Sequence, residues 1–366
     1  MDQRSTATAP GSPDLSLTEA ATQFSPEGAF LDTASYGLAP DTAALALEEA
    51  IDTWRTGRAT AGGYDPYVSE ARALFARLVG VGSGDVAVGS QASAFAGLVA
   101  ASLPAGSEVV TADCEFTSVL FPFLAQERRG VRVRLVPLAD LPEAIDARTS
   151  LAALSAVQSC DGRVADLAAV RDAAAGVGAR TFVDATQACG WLPFDASRFD
   201  YVVCSAYKWL LAPRGAAFFA VRPERLDALI PHHAGWYAGE DVWTSIYGGP
   251  LRLARSARRL DLSPAWLAWI GAVPALRLLD QVGVAAIHAH DVALADRFRA
   301  GLGMPPSDSA IVSVPGIADA SDRLTRAGVT ASVRAGAVRV AFHLYSTEAD
   351  VDRAVEALTS WTSWTS

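Results

Sequence analysis

Seven short apolar runs, each bounded by turn signals, recur between residues 85 and 221 of this chain. They lie at 85–88, 109–111, 131–136, 151–157, 181–184, 201–204 and 216–221. Such runs are typical of strands that are buried on both faces, and the helical patterns between them predict a mostly parallel sheet with helices on both sides. In a sheet of this kind the ligand site is expected at the carboxyl ends of the strands. We therefore predict an α/β fold.

The pattern changes beyond residue 258, which predicts a second domain. A helix containing Trp266 and Trp269 leads into one long amphipathic stretch, and short strands and a last helix follow. We expect three parts: a flexible leader at residues 1–16, a large domain at 17–262 whose N-terminal segment contributes to its neighbour, and a small α+β domain at 263–366.

Composition limits the class of function. Hydrophobic residues make up 51% of the 366 residues and charged residues 19%, with a net charge of -10, which favours a well-buried globular enzyme and argues against a nucleic-acid partner. The cysteines are widely spaced and the histidines form no ligand pattern, so no metal site is expected. No uninterrupted apolar run is long enough for a membrane span, and the N-terminus has no signal-peptide core. We predict a cytoplasmic protein with no membrane partner.

Lys208 is the only lysine, so every other one of the 30 Lys and Arg residues is arginine. A buried lysine can lose its proton and form a Schiff base, whereas arginine stays protonated. Asp184 ends the apolar run that precedes the run leading to Lys208, and the ends of adjacent parallel strands meet. The sequence therefore predicts that these two side chains form a catalytic pair.

Two segments carry a resemblance to a known family. Val183-Asp-Ala-Thr-Gln-Ala-Cys-Gly190 and Ser205-Ala-Tyr-Lys-Trp-Leu210, with Pro213-Arg-Gly215 after it, resemble the class V aminotransferases, which are fold-type I pyridoxal-phosphate (PLP) enzymes. Cysteine desulfurases, selenocysteine lyases, kynureninase, isopenicillin N epimerase and the carbon–sulfur lyase of ergothioneine biosynthesis share this pattern. The resemblance runs from residue 31 to the last helix. It implies a seven-stranded, mostly parallel sheet, a small amino-acid substrate and a homodimer with shared active sites.

The resemblance also implies roles for individual residues around the cofactor. Lys208 would hold PLP as a Schiff base and move the proton at the substrate's α-carbon, and Asp184 would keep the ring nitrogen protonated. Gln187 would donate to the phenolic oxygen of the ring, and Phe116 would stack on the ring where relatives place a histidine or another aromatic residue. The residues expected at the phosphate are Ser205, Tyr207, Ser93 and the amide of Ala92, with Ser263 reaching the partner subunit's phosphate site.

The substrate's carboxylate is expected to meet an arginine near the C-terminus. Arg339, in Val338-Arg-Val-Ala-Phe-His343, resembles the family's terminal arginine, which clamps the carboxylate bidentately. Arg334 is the competing candidate. Ser35, Tyr36 and Ser159 complete the expected substrate site; Ser159 stands where relatives often have an asparagine.

A missing cysteine narrows the reaction. Cysteine desulfurases carry a loop cysteine shortly before the terminal arginine strand, and residues 314–334 contain none. Together with the aromatic residue at 116, this favours a carbon–sulfur lyase or a related β-elimination over a persulfide-forming desulfurase. An aminotransferase and an epimerase are the alternatives, and a non-catalytic relative that only binds is a hypothesis of another class.

Overall fold

The computed structural model describes residues 15–360. The predicted leader lies outside the described residues except for Leu15 and Ser16. Ser16 caps the N-terminus of the first helix, because its hydroxyl accepts a hydrogen bond from the Glu19 amide at 3.2 Å.

The helices and strands alternate as the sequence predicts. The helices are α1 (Leu17–Ala21), α2 (Asp41–Arg55), α3 (Ala61–Leu78), α4 (Ala92–Ser102), α5 (Thr117–Leu124), α6 (Leu141–Ala144), α7 (Leu167–Val177), α8 (Trp266–Val282), α9 (Val284–Gly301), α10 (Ala320–Arg326) and α11 (Glu348–Thr359). The strands are β1 (Ala29–Phe30), β2 (Val86–Gly89), β3 (Glu108–Ala112), β4 (Arg132–Val136), β5 (Thr149–Ser155), β6 (Arg180–Asp184), β7 (Tyr201–Ser205), β8 (Ala217–Val221), β9 (Ile311–Val314), β10 (Val329–Thr330), β11 (Ser332–Arg334) and β12 (Ala337–Ala341).

A seven-stranded sheet forms the centre of the molecule, in the order β2-β8-β7-β6-β5-β3-β4. Strand β8 is antiparallel to both of its neighbours, and the other strands of this sheet run in one direction. The predicted α/β fold with a mostly parallel sheet is confirmed.

Both faces of this sheet are buried, as the continuous apolar runs predict. In β5, Ala152 and Leu154 belong to one hydrophobic core, and Leu151 and Ala153 belong to the core on the opposite face. Because successive side chains of a strand point to opposite faces, an unbroken apolar run is what two helical layers require. The carboxyl end of the sheet is left for polar side chains.

A smaller core lies around the antiparallel sheet β11-β12-β9. Strand β1 pairs with β10, so the N-terminal segment reaches this second core. Helix α8 packs instead against α2 and α3, and its buried residues share the core of the large sheet. The buried residues pass from the core of the large sheet to the smaller core within α9: Ile287 belongs to the first and Leu294 to the second. The domain boundary at residue 262 stays a prediction.

The predicted long amphipathic stretch is two helices. Gly283 (φ +81°) ends α8, and α9 continues at a bend of 85°. A positive φ is readily adopted by glycine, which explains why the chain turns here although the apolar pattern continues. Within residues 15–360 no single helix is long and apolar enough to cross a membrane. Helices α8 and α9 reach the necessary length and hydropathy only when they are counted together across their bend.

Candidate active site

One pocket at the carboxyl ends of the central strands collects most of the predicted residues. Its lining consists of Ala92, Phe116, Ser118, Ser155, Ser159, Asp184, Thr186, Gln187, Ser205, Tyr207 and Lys208. Ser155, Asp184 and Ser205 are the last residues of β5, β6 and β7, so the strand register brings them to one edge.

Lys208 and Asp184 are both buried in this pocket, with 6% and 5% of their surface exposed. Burial lowers the pKa of Lys208 to about 8, although the nearby Asp184 carboxylate opposes the shift. Burial raises the pKa of Asp184, and hydrogen bonding from Thr186 and the charge of Lys208 oppose it. An amine that is partly neutral near physiological pH is a competent nucleophile and base.

The turn that carries Lys208 is held from several directions. The Gly37 amide donates to the Tyr207 carbonyl at 3.0 Å, and a Cβ on Gly37 would collide with the carbonyl oxygen of Lys208. A Cβ on Gly190 would likewise collide with the carbonyl oxygen of Trp209. These contacts require glycine and restrict the position of the lysine backbone.

Gln187 links the pocket to its surroundings through its whole side-chain amide. Its Nε2 donates to the Ala34 carbonyl at 2.9 Å and to Ser159 Oγ at 3.1 Å, and its Oε1 accepts from Trp209 Nε1 at 2.7 Å. Since both N–H groups are engaged, donation to a ring oxygen would require Gln187 to give up one of these contacts.

The expected phosphate side is formed by the start of α4 and the end of β7. The Ala92 amide donates to Ser205 Oγ at 3.1 Å, and the Ser205 amide donates to Thr186 Oγ1 at 2.9 Å. Amides at a helix start attract anions. Ser93 is half-buried and does not line the pocket, since the next side chain along a helix is rotated by about 100°. Its role stays a prediction.

Tyr207 lies at the mouth of this region. Its ring is 5.8 Å from the ring of Tyr36, and the guanidinium carbon of Arg214 lies 4.8 Å from its centroid. Tyr36 is 47% exposed, and its hydroxyl accepts from the Arg214 amide at 3.4 Å.

Ser263 lies outside the pocket on the exposed surface. The segment that carries it is anchored to β2, because the buried Asp261 accepts hydrogen bonds from Arg72 at 2.7 and 3.0 Å and from the Val88 amide at 2.9 Å. Whether Ser263 reaches a second subunit stays a prediction.

Phe116 faces the lysine, with its ring centroid 5.4 Å from Lys208 Nζ. A buried carboxylate supports it: Glu115 accepts from the Phe116 amide at 2.8 Å, from the Ser155 amide at 2.7 Å and from Gln158 Nε2 at 3.2 Å, and it also contacts the Ser155 hydroxyl. Glu115 therefore joins the segment after β3 to the end of β5.

Arg339 is 1% exposed and lies beside the pocket. It donates to the Ser159 carbonyl at 2.5 Å and hydroxyl at 3.2 Å, and to Ser35 Oγ at 2.8 Å, and the Asp32 carboxylate lies 3.7 Å away. Burial lowers its pKa to about 10. Arg334 is exposed and donates to the same Ser35 oxygen at 2.9 Å. The structure thus brings both predicted arginines to one serine.

Sequence reasoning missed Glu115, Ser118, Ser155 and Thr186. Ser155 could have been found, because it is the polar residue that ends an apolar run next to the strand of Asp184. Glu115 had no such signal, since its partners on β5 are distant in sequence.

Fold and site together define a class: a fold-type I PLP enzyme, in which a buried lysine and a buried carboxylate meet at the carboxyl edge of a mostly parallel sheet. The chain belongs to the aminotransferase class-V family, whose model matches residues 60–312. It is therefore an enzyme and its cofactor is pyridoxal phosphate, so the hypothesis of a non-catalytic relative is set aside.

Known proteins are similar over most of the chain. The uncharacterized aminotransferase YcbU of Bacillus subtilis is 29% identical over 80% of this chain and 83% of its own length. Isopenicillin N epimerase of Streptomyces clavuligerus is 29% identical over 80% of this chain and 84% of its own. A solved complex of the cystine C-S lyase C-DES with its product cysteine persulfide superposes with a TM-score of 0.81 at 19% identity, covering 90% of this chain and 97% of that one. This last similarity establishes the fold.

The pocket residues fit the cofactor. The buried Asp184 carboxylate matches a protonated ring nitrogen, which would offset the cost of its burial. The amine of Lys208 matches the aldehyde, and the Ala92 amide with the Ser205 hydroxyl matches the phosphate.

Proposed function

We propose that the enzyme is a carbon–sulfur lyase, or carries out a related β-elimination, on a small amino acid. The observation that supports this most is that Lys208 is the only amine among the described residues that line the pocket, and that Phe116 faces it where an acid–base side chain would otherwise stand. PLP, when bound, withdraws electrons from the substrate's α-carbon.

Lys208 would serve as anchor and as base. Its lowered pKa, about 8, lets the neutral amine accept the α-proton near physiological pH. Asp184 would hold the proton of the ring nitrogen, and Ser205 with the Ala92 amide would hold the phosphate. Arg339 would orient the α-carboxylate.

The phenylalanine at 116 supports a leaving group that needs no proton. Phe116 cannot donate one, and no histidine is among the described residues that line the pocket. A thiolate departs as an anion, because thiols are far more acidic than alcohols or amines. The side of the pocket that Phe116 forms therefore best suits a substrate with sulfur at its β-carbon.

Two cysteines flank the site, and the raised pKa of their thiols supports direct release of the sulfur product. Cys114 precedes Glu115, and Cys160 follows Ser159. Burial raises the pKa of the Cys114 thiol, and burial together with the nearby Asp161 raises that of Cys160 to about 12. Because the thiolate is the form that accepts sulfur, neither residue suits a persulfide relay.

Aminotransfer is the second candidate, because a single lysine can also move a proton to the cofactor side and because YcbU carries that name. Epimerisation by two opposed bases is less well supported. The other ionisable lining residues are Asp184, which the ring nitrogen would engage, and Tyr207, whose pKa burial raises.

We also propose a homodimer in which Ser263 contributes to the partner's phosphate site. The exposed Ser263 and its rigid anchor at Asp261 support this arrangement. The cytoplasmic location stays a prediction.

Incubation of the PLP-loaded enzyme with S-alkyl cysteines tests the lyase proposal. We expect pyruvate and free thiol in equal amounts, with no need for a keto-acid acceptor. The Lys208→Ala variant should form neither product, whereas the matched Cys114→Ser and Cys160→Ser variants should keep the activity. Product that forms only with an added keto acid would establish aminotransfer instead.

A further inference from the structure

We propose that the substrate carries a second anionic group, a carboxylate beyond its α-carbon, and that Arg334 binds it. This inference rests on the proposed function, since it specifies the substrate class of the same site. Two guanidinium groups meet at one hydroxyl: Arg339 Nη2 lies 2.8 Å and Arg334 Nη2 lies 2.9 Å from Ser35 Oγ.

Arg339 suits the α-carboxylate. It is buried next to the pocket, and its Nε has no hydrogen-bond partner among residues 15–360. The carboxylate nearest to it, that of Asp32, is 3.7 Å away, and Asp32 Oδ1 has no hydrogen-bond donor within the same part of the chain. An unpartnered buried guanidinium N–H is costly, so a ligand that accepts from it is favoured.

Arg334 is left for a different group. Its Nη1 donates to its own neighbour, the Val333 carbonyl, at 2.8 Å, and no carboxylate of the described chain lies within ion-pair distance. The two arginines reach Ser35 from different backbone positions: Arg339 is opposite Ser332 in the antiparallel pair β11-β12, and Arg334 is opposite Ala337. Arg334 is exposed while Arg339 is buried, so a ligand extending outward from Arg339 meets Arg334.

Most other arginines among residues 15–360 lie beside an Asp or Glu side chain. Arg55, Arg77, Arg148, Arg163, Arg277 and Arg297, for example, each lie within 3.1 Å of an Asp or Glu oxygen. At the mouth of the site, by contrast, neither Arg334 nor Arg214 has an Asp or Glu oxygen of the described residues within ion-pair distance. A cationic entrance on a protein with a net charge of -10 attracts an anion.

Ser35 completes the subsite. Its oxygen accepts from both guanidinium groups, so its own O–H proton is free to donate toward a ligand. A dicarboxylic amino acid would thus meet Arg339 at one end, Arg334 at the other, and a hydroxyl donor between them. A substrate with a neutral side chain would leave the Arg334 guanidinium without an anionic partner.

Calorimetric binding of thiodipropionate to the PLP-loaded enzyme tests the inference without any reaction, because this dicarboxylate lacks an amino group. The matched ligand is its monoamide. We expect the diacid to bind about tenfold more tightly than the monoamide, which corresponds to about 1.4 kcal/mol. This factor is in addition to the about twofold statistical advantage that the two identical ends of the diacid provide. Arg334→Gln should abolish that preference, Arg334→Lys should keep part of it, and Arg353→Gln, at another exposed arginine of the small domain, should keep all of it.

The outcomes separate this inference from the lyase proposal. Equal affinities for diacid and monoamide, or an Arg334→Gln effect of the same size on both ligands, would overturn the second-anion site while S-alkyl cysteines could still be cleaved. A parallel comparison of S-carboxyethyl- and S-carbamoylethyl-L-cysteine as substrates should show the same preference in KM. A diacid preference without cleavage of any cysteine conjugate would support the subsite and contradict the lyase.

Discussion

The ring of His343 ties the segment after β12 to the turn that carries Lys208: its Nε2 lies 3.1 Å from the carbonyl oxygen of Trp209, the residue after Lys208. Its Nδ1 lies 3.0 Å from Asp291 Oδ2, and both side chains are fully buried. Since a carbonyl can only accept, Nε2 must carry a proton, and one further proton is shared between Nδ1 and the carboxylate. The backbone beside Lys208 is thereby fixed by a residue that follows β12.

Replacement of His343 by alanine should lower the free energy of unfolding by about 3–5 kcal/mol, because it leaves the buried Asp291 without its partner. Asp291→Asn should cost only about 1 kcal/mol, since a neutral imidazole can still bond to both the amide and the Trp209 carbonyl. Urea unfolding followed by tryptophan fluorescence measures both values. Equal costs would mean that the charge of Asp291 does not require the histidine.

The pH dependence of cofactor binding should report the pKa of Lys208. Because burial lowers this pKa to about 8, the rate of covalent PLP uptake by the apo-enzyme should rise with pH and level off above about 8. The Asp184 carboxylate raises the pKa, so Asp184→Asn should move the plateau to lower pH. Stopped-flow absorbance gives the rates. A rate that climbs steadily toward pH 10.5, the value for an ordinary lysine, would contradict the prediction.

Glu115→Gln should destabilise the contact between the segment that carries Phe116 and the end of β5. The carboxylate accepts from two backbone amides and from Gln158, and a side-chain NH2 in its place would face at least one of these donors. We expect a loss of about 2–3 kcal/mol, against about 1 kcal/mol for Ser155→Ala, which removes only a hydroxyl. Thermal unfolding compares the stability of the two variants. A Glu115→Gln variant as stable as the unchanged protein would mean that the Glu115 carboxyl is already protonated.

The buried ion pair of Arg72 and Asp261 should be needed as a pair. Asp261→Asn and Arg72→Met should each cost about 3–5 kcal/mol, because each leaves one partner buried and uncompensated. The double variant Arg72→Met with Asp261→Asn should cost less than the sum of the two single losses. A double-mutant cycle in denaturant measures the coupling, and strictly additive losses would refute it.

The sequence predicted those features that depend on local pattern. The strands of the large sheet follow from apolar runs, and Lys208 with Asp184 follows from residues at strand ends and a short motif. The break at Gly283 was missed because helical periodicity continues on both sides of the glycine. Contacts between distant segments, such as Glu115 with β5 or His343 with Trp209, leave no periodic signal, so no single-sequence pattern could reveal them.

The pairing of β1 with β10 has a consequence for synthesis of the protein. Strand β1 and the adjoining Ser35 precede the large sheet in the chain, whereas their partners β10, Arg334 and Arg339 are made after it. The large sheet can assemble as its strands appear, whereas the arginine subsite must wait for a contact of very long sequence separation. In a nascent chain the strand ends that carry Asp184 and Ser205 should therefore come together before Ser35, Arg334 and Arg339 do.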